Sequence, residues 1–137
     1  MNFLSSFILT FILFTLFDLS WIFMNIDYYM TLSKKIQKEP FVFKLLPMIL
    51  AYVVLGISLY LYIKFILFEI NANKSMNKYL IAFGYGLLFG LSIYGTYSLT
   101  SCVYYKNYGY YDAFKDTAWG MILFTISGLI FVKLYKH

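Results

Sequence analysis

The sequence contains no arginine, a single cysteine and two prolines, and only 12% of its 137 residues are charged. Without arginine, the chain lacks the planar guanidinium group that binds phosphate and carboxylate through paired hydrogen bonds. A single cysteine, Cys102, excludes an intrachain disulfide, and we expect it to pack as a small apolar residue within a helix. Soluble domains carry about 25% charged residues, so the shortage of charge argues against a soluble protein.

Hydrophobic residues make up 62% of the chain and aromatic residues 23%. A soluble domain of this size buries about two thirds of the surface that its unfolded chain exposes, so the remaining apolar surface must face lipid. The net charge is +5, and the lysines lie in short segments between apolar runs, which is typical of membrane proteins. We therefore expect a lipid bilayer as the partner and no nucleic acid. The lysine-only basic residues also indicate an AT-rich coding sequence, such as that of a large DNA virus or an AT-rich microbe.

Four apolar segments reach the length of about 20 residues that a helix needs to cross a membrane. They span residues 3–24, 45–68, 79–105 and 113–135. The segments are apolar on all faces and lack the two-residue alternation of membrane β-strands. The sequence therefore predicts an all-α, four-helix transmembrane bundle, a multi-pass integral membrane protein with a single domain over residues 1–137. Four spans place both termini on the same side, and the even distribution of lysines leaves that side undetermined.

Two connecting segments are expected to lie at the membrane–water interface. Residues 25–44 hold lysines among regularly spaced apolar residues, a pattern typical of a stretch that lies flat on the membrane. Residues 104–112 hold five tyrosines, which we expect to form an aromatic belt at the level of the lipid headgroups, with ligand stacking as the alternative.

Asp18 lies clearly within a span, where ionisable residues are costly and commonly functional. Trp21 follows three residues later, so the two side chains share a helix face. The fourth span repeats this pattern with Asp116 and Trp119. Since the two spans run in opposite directions, both carboxylates are expected near the same side of the membrane.

The third span contributes small and polar residues. Its Gly86-Leu-Leu-Phe-Gly90 motif allows close contact between helices, and we expect Gly120 of the fourth span to serve helix packing as well. Beyond the motif, Tyr94 and Tyr97 continue the same face toward the side on which both acids lie. The predicted polar pocket comprises Asp18, Trp21, Tyr94, Tyr97, Ser98, Thr100, Ser101, Asp116 and Trp119.

Simpler interpretations of both acids stay open. Asp116 lies beside Lys115, where it is able to cap the N-terminus of the fourth helix. Asp18 is able to lock the first helix into the bundle through hydrogen bonds to hydroxyl groups. The sequence holds no cluster of metal ligands, no glycine-rich phosphate loop and no familiar nucleophile–base–acid set. We therefore expect no metal and no cofactor, and we assign no catalytic residue.

Motifs on all four spans resemble those of one known family. They are Phe17-Asp18-Leu-Ser-Trp21, Ala51-Tyr52-Val-Val-Leu-Gly56, Gly90-Leu-Ser-Ile-Tyr94-Gly-Thr-Tyr97-Ser-Leu-Thr100 and Asp116-Thr-Ala-Trp119-Gly120. Over nearly the whole chain, the sequence is similar to the predicted membrane proteins catalogued as domain of unknown function 2177. The resemblance implies a small polytopic protein with four helices and supplies no activity. Where the family has Tyr-Asp-Leu-Thr-Asn, this chain has Tyr97-Ser98-Leu99-Thr100-Ser101, so a family pocket with three carboxylates would keep two here.

Three functions are compatible with these residues. The first is a non-enzymatic membrane component, held together by its glycines and by Asp18, that associates with itself or with a membrane-protein partner. The second is a small proton- or cation-linked carrier or channel-like protein in which Asp18 and Asp116 form the binding site. The third is a lipid-modifying membrane enzyme, which would use the same two carboxylates as acid and base.

Overall fold

The structure, a computed structural model, describes residues 1–135. Its five helices are α1 (Phe3–Met24), α2 (Ile26–Gln37), α3 (Leu45–Ala72), α4 (Lys78–Tyr104) and α5 (Tyr110–Leu134). All except α2 are long and apolar enough to cross a membrane, and the described residues contain no strand. The predicted all-α fold with four membrane-length helices is confirmed. The last two residues of the predicted domain lie outside the described part of the chain.

Helix α2 is short and amphipathic. A single residue, Asn25, separates it from α1, and Lys38 ends it with a left-handed backbone conformation (φ 60°). Leu32 is buried, whereas Lys34 and Lys35 are exposed in the last turn, where positive charge favours the helix dipole. This distribution fits a helix that lies along the membrane surface.

Helix α5 begins at Tyr110, before the expected start at residue 113. The side chain of Asp112 accepts a hydrogen bond from the Gly109 amide at 2.8 Å and so caps the first turn, where backbone amides lack partners within the helix. The interpretation of Asp116 as the capping residue is therefore wrong, because Asp116 follows in the second turn of the helix.

Helix α1 is more polar on its buried face than on its exposed face. Ser6, Thr10, Phe14 and Asp18 are buried at four-residue spacing. Leu4, Ile8, Ile12 and Leu16 are exposed at the same spacing. In lipid, burial of apolar surface provides little driving force between helices, so close packing and hydrogen bonding take its place. The arrangement is therefore the one expected of a helix that is surrounded by lipid on one side.

Helix α5 lies at the centre of the bundle. In the 18-residue stretch that would cross the membrane, 44% of its residues are buried, against 17% in α1. Glycines allow α4 to approach it closely. A Cβ atom on Gly90 would lie 2.4 Å from the Gly120 carbonyl oxygen, and one on Gly86 would lie 2.5 Å from the Thr125 Cα. Gly120 itself leaves room for the ring of Tyr94. The structure thus places the three predicted packing glycines at the contact between α4 and α5.

A π-helical turn, Leu91–Gly95, interrupts the α-helical structure of α4 just after Gly86 and Gly90. A π turn holds more residues than an α turn and occurs frequently at functional sites. Here it precedes Tyr97 and Ser101 and determines the direction in which they face. The two halves of α4 therefore present different faces to the bundle.

The two ends of the bundle differ in the helix termini that they contain. The N-terminal amine donates a hydrogen bond to the Leu134 carbonyl at 3.0 Å, and Lys64 Nζ lies 4.6 Å from the centre of the Phe3 ring. The start of α1 therefore lies beside the ends of α3 and α5. The opposite end, where α1 ends and α5 begins, contains the candidate site.

Candidate functional site

A cavity of about 390 Å³ lies between α1, α2, α4 and the first turns of α5. We call it the Asp18–Asp116 cavity, after the two acidic residues in its wall. Seven of the predicted pocket residues line it, namely Asp18, Trp21, Tyr94, Tyr97, Ser101, Asp116 and Trp119. The structure therefore brings both predicted Asp–Trp pairs to one space.

Asp18 is 7% exposed and accepts hydrogen bonds from two other helices. The Tyr52 hydroxyl of α3 donates to Oδ2 at 2.9 Å, and the Trp119 indole of α5 donates to Oδ1 at 2.8 Å. A buried carboxylate requires such donors because its desolvation is costly. Asp18 thus connects α1 to α3 and α5, and both of its donors are neutral.

Asp116 accepts hydrogen bonds from two tyrosines of connecting segments. The Tyr29 hydroxyl donates to Oδ1 at 2.9 Å, and the Tyr108 hydroxyl donates to Oδ2 at 2.8 Å. Tyr108 is 6% exposed, so at this position the aromatic-belt interpretation is wrong. The carboxylate therefore faces the protein interior, and its donors, like those of Asp18, are neutral.

The two tryptophans connect the acids crosswise. The rings of Trp21 and Trp119 are stacked, with centres 4.5 Å apart and planes 5° from parallel. Trp119 donates to Asp18 of the other helix, whereas the Trp21 indole donates to the Tyr29 hydroxyl at 2.9 Å. Because Tyr29 in turn donates to Asp116, one continuous set of hydrogen bonds and ring contacts joins the two carboxylates.

Side-chain hydrogen bonds hold α2 over the cavity. In addition to Tyr29, the Tyr28 hydroxyl donates to Asp112, and the Asn107 amide donates to the Lys35 carbonyl at 2.9 Å. Lys115 Nζ lies 3.5 Å from the centre of the Tyr28 ring, a cation–π contact. These bonds attach α2 to the segment that begins α5, so α2 forms one wall of the site.

Burial raises the pKa of the Tyr28, Tyr29 and Tyr108 hydroxyls. The neighbouring carboxylate raises it further, which is Asp112 for Tyr28 and Asp116 for Tyr29 and Tyr108. A group with a raised folded-state pKa stabilises the fold below its unfolded-state pKa, which for a phenol is about 10. This contribution is lost as the pH rises through the higher folded-state pKa. The three hydroxyls therefore remain hydrogen-bond donors throughout the physiological range.

We expect Tyr28→Phe to lower the free energy of unfolding by about 1 kcal/mol, the usual contribution of one partly exposed hydrogen bond. Thermal unfolding in detergent should show a constant difference from the wild type up to about pH 10, and a smaller difference at higher pH. Tyr111→Phe is the matched control, since Tyr111 is 71% exposed. Equal effects of the two substitutions, or a difference that grows above that pH, would contradict the role of the Tyr28 bond.

Two predicted pocket residues, Ser98 and Thr100, do not line the cavity. They lie on either side of the helix face that carries Tyr97 and Ser101. Ser98 is fully buried, on the side of α4 that faces the bundle. Thr100 is exposed, because one helical residue turns a side chain about 100° away from its neighbour. For Thr100 the expected place in the pocket is therefore wrong.

Three tyrosines that bind the carboxylates are absent from the predicted pocket. Tyr52 lies in one of the family-like motifs, and this is the signal that could have identified it. Tyr29 and Tyr108 lie in connecting segments whose tyrosines equally fit an interfacial position. No spacing rule relates Tyr29 to Asp116, which lies 87 residues away.

The residues that line the cavity include two acids and no lysine. Within residues 1–135, no group of three or more His, Cys, Asp or Glu side chains is placed to hold a metal ion. The site therefore offers two hydrogen-bonded carboxylates, two indoles and several phenols, surrounded by apolar side chains.

Comparison with known proteins gives one family match. The family described as "Predicted membrane protein (DUF2177)" matches residues 3–132. No curated protein and no solved structure matches the chain.

Proposed function

Because the chain belongs to the DUF2177 family of predicted membrane proteins, we propose that it is a non-enzymatic membrane component that binds a cation between Asp18 and Asp116, as a proton- or cation-linked carrier does. One observation carries the proposal: both carboxylates line the same cavity within membrane-length helices. Ionisable residues inside a span are costly, and they commonly mark a pathway for ions or protons.

The electrostatics of the cavity support the proposal. Tyr52 and Trp119 donate to Asp18, while Tyr29 and Tyr108 donate to Asp116. Neutral donors stabilise a carboxylate, but they do not cancel its negative charge. Lys115 lies close enough to offset part of the charge of Asp116, although no lysine lines the cavity itself. In a medium of low dielectric constant, a negative charge that is not fully offset attracts a cation strongly, and a cation in this cavity would lie near two carboxylates.

The test is cation flux in reconstituted vesicles. We expect the wild type to conduct protons or potassium down an imposed gradient, and Asp116→Asn and Asp18→Asn to reduce the initial flux at least tenfold. Both substitutions keep the shape of the side chain and remove its charge. The protein should still insert and elute as the wild type in size-exclusion chromatography.

Asp27→Asn is the matched control, because Asp27 is an exposed acid of α2 that lies outside the cavity lining. It should leave the flux unchanged. Wild-type flux in both Asp18→Asn and Asp116→Asn, or no flux above that of empty vesicles in the wild type, would contradict the carrier function.

A second candidate function is purely structural, and the bonds of Asp18 favour it. Its carboxylate joins α1 to α3 and α5, which is the role expected of a polar residue that locks a membrane bundle. The predicted association with a second copy or a membrane-protein partner stays a prediction, and cross-linking in native membranes would test it.

A further inference from the structure

The Asp18–Asp116 cavity combines charge, aromatic surface and apolar surface in a way that selects among cations. We infer that it takes an ammonium group carried on an apolar body, such as a long-chain alkylamine. The inference rests on the proposed cation site and adds the chemical class of the cation.

The first step concerns the oxygen atoms of the two carboxylates. All four already accept a hydrogen bond from a tyrosine or a tryptophan. A carboxylate has about four acceptor positions, so roughly two stay open on Asp116 and fewer on Asp18, which the Tyr94 hydroxyl also approaches. An ammonium group needs only three acceptors for its N–H donors, whereas an ion such as Ca²⁺ takes about six to eight oxygen ligands.

The second step concerns the indole pair. Trp21 and Trp119 both line the cavity and stack against each other, and Lys115 Nζ lies 5.6 Å from the centre of the Trp21 ring, so the pair already lies beside one ammonium group. Tryptophan is the aromatic side chain that attracts organic ammonium ions most strongly. A small alkali cation gains less at such a wall, because it must give up a tightly held hydration shell.

The third step concerns the apolar residues of the wall. They are Ile22, Ile26, Met30, Ile36 and Phe41. These side chains offer no hydrogen bonds, and they favour contact with hydrocarbon. The ligand therefore carries its charge at one end and an apolar body at the other.

The size of the cavity agrees with such a ligand. Its volume of about 390 Å³ falls within the range of about 300–1,000 Å³ that is usual for small-molecule sites. The fit is to a single chain or a small ring system with one amine. A diacyl lipid would exceed the space.

Intrinsic fluorescence tests the inference directly, because the protein contains two tryptophans and both lie in the site. In dodecyl maltoside, whose headgroup is uncharged, decylamine should produce a saturable change in the emission. Decanol and decyl sulfate have the same chain without the ammonium group, and we expect them to bind at least tenfold more weakly. Potassium chloride should reach its half-maximal effect only at a concentration at least tenfold higher than that of decylamine.

Substitutions that remove a charge provide a second test of the inference. Asp116→Asn and Asp18→Asn should each weaken decylamine binding at least tenfold, whereas Asp27→Asn should bind as the wild type. Isothermal titration calorimetry gives the same comparison independently of the emission of each variant. Equal binding of decanol and decylamine, or unchanged binding in both cavity variants, would overturn the inference.

The outcomes separate the two proposals. Charge-dependent cation flux without decylamine binding overturns the ammonium ligand and leaves the carrier function standing. Saturable, charge-dependent decylamine binding without flux supports the ligand class and overturns carrier activity.

Discussion

Gly90→Ala should lower the free energy of unfolding by about 3 kcal/mol, at the upper end of the range for overpacked contacts. The added methyl group would lie 2.4 Å from both the Gly120 carbonyl oxygen and the Met121 Cα. These are backbone atoms, so no side-chain rotation relieves the clash, and α4 must move away from α5. Unfolding in mixed micelles, followed by circular dichroism, measures the loss.

Gly84 provides the matched control for this substitution. It lies in the same helix, and no atom lies within 4 Å of the position that its Cβ would occupy. Gly84→Ala should therefore be neutral or stabilising, because alanine favours the helix by up to about 1 kcal/mol over glycine. If Gly90→Ala unfolds at the same denaturant concentration as Gly84→Ala, the close contact between α4 and α5 is wrong.

Asp18→Leu should lower the free energy of unfolding by about 3 kcal/mol, since each buried donor left without a partner costs about 1–3 kcal/mol. The donors are the Tyr52 hydroxyl and the Trp119 indole. Tyr52→Phe alone should cost less, because Asp18 would keep one of its two bonds. Thermal unfolding in detergent, with size-exclusion chromatography to verify the folded state, measures both losses.

A combined variant separates lost hydrogen bonds from general damage. With Tyr52→Phe and Trp119→Phe added to Asp18→Leu, no polar partner is left unsatisfied, and part of the lost stability should return. Stability that falls with every added substitution would indicate that Asp18 acts through packing instead of through its bonds. An unchanged melting profile in Asp18→Leu would exclude an interhelical role.

The main helices could be predicted because lipid imposes a simple length rule. Long apolar runs, each broken by a single charged residue (Asp18 or Lys64), locate α1 and α3, and a helix satisfies all their backbone hydrogen bonds within the segment. The start of α5 is harder to predict, since Asp112 and Asp116 are both plausible capping residues near a helix N-terminus. Asp112 is the acid that caps the helix, and residue type alone could not distinguish the two.

The site was partly predictable for a similar reason. A three-residue spacing places Trp21 beside Asp18 on one face, and the same holds for Asp116 and Trp119. The donors from connecting segments, Tyr29 and Tyr108, depend on tertiary contacts that no local pattern encodes.

The π turn Leu91–Gly95 allows α4 to lose one residue without losing the direction of its side chains. Because such a turn accommodates an extra residue, removal of one residue between 91 and 95 would leave a regular α-helix. The side chains after the deletion would keep their direction relative to Gly86 and Gly90, because the residue removed is the one that the wide turn absorbs. Tyr97 and Ser101 would stay at the cavity wall, and the glycine contact would stay intact. A one-residue deletion here would thus remove the wide turn and spare both the site and the fold.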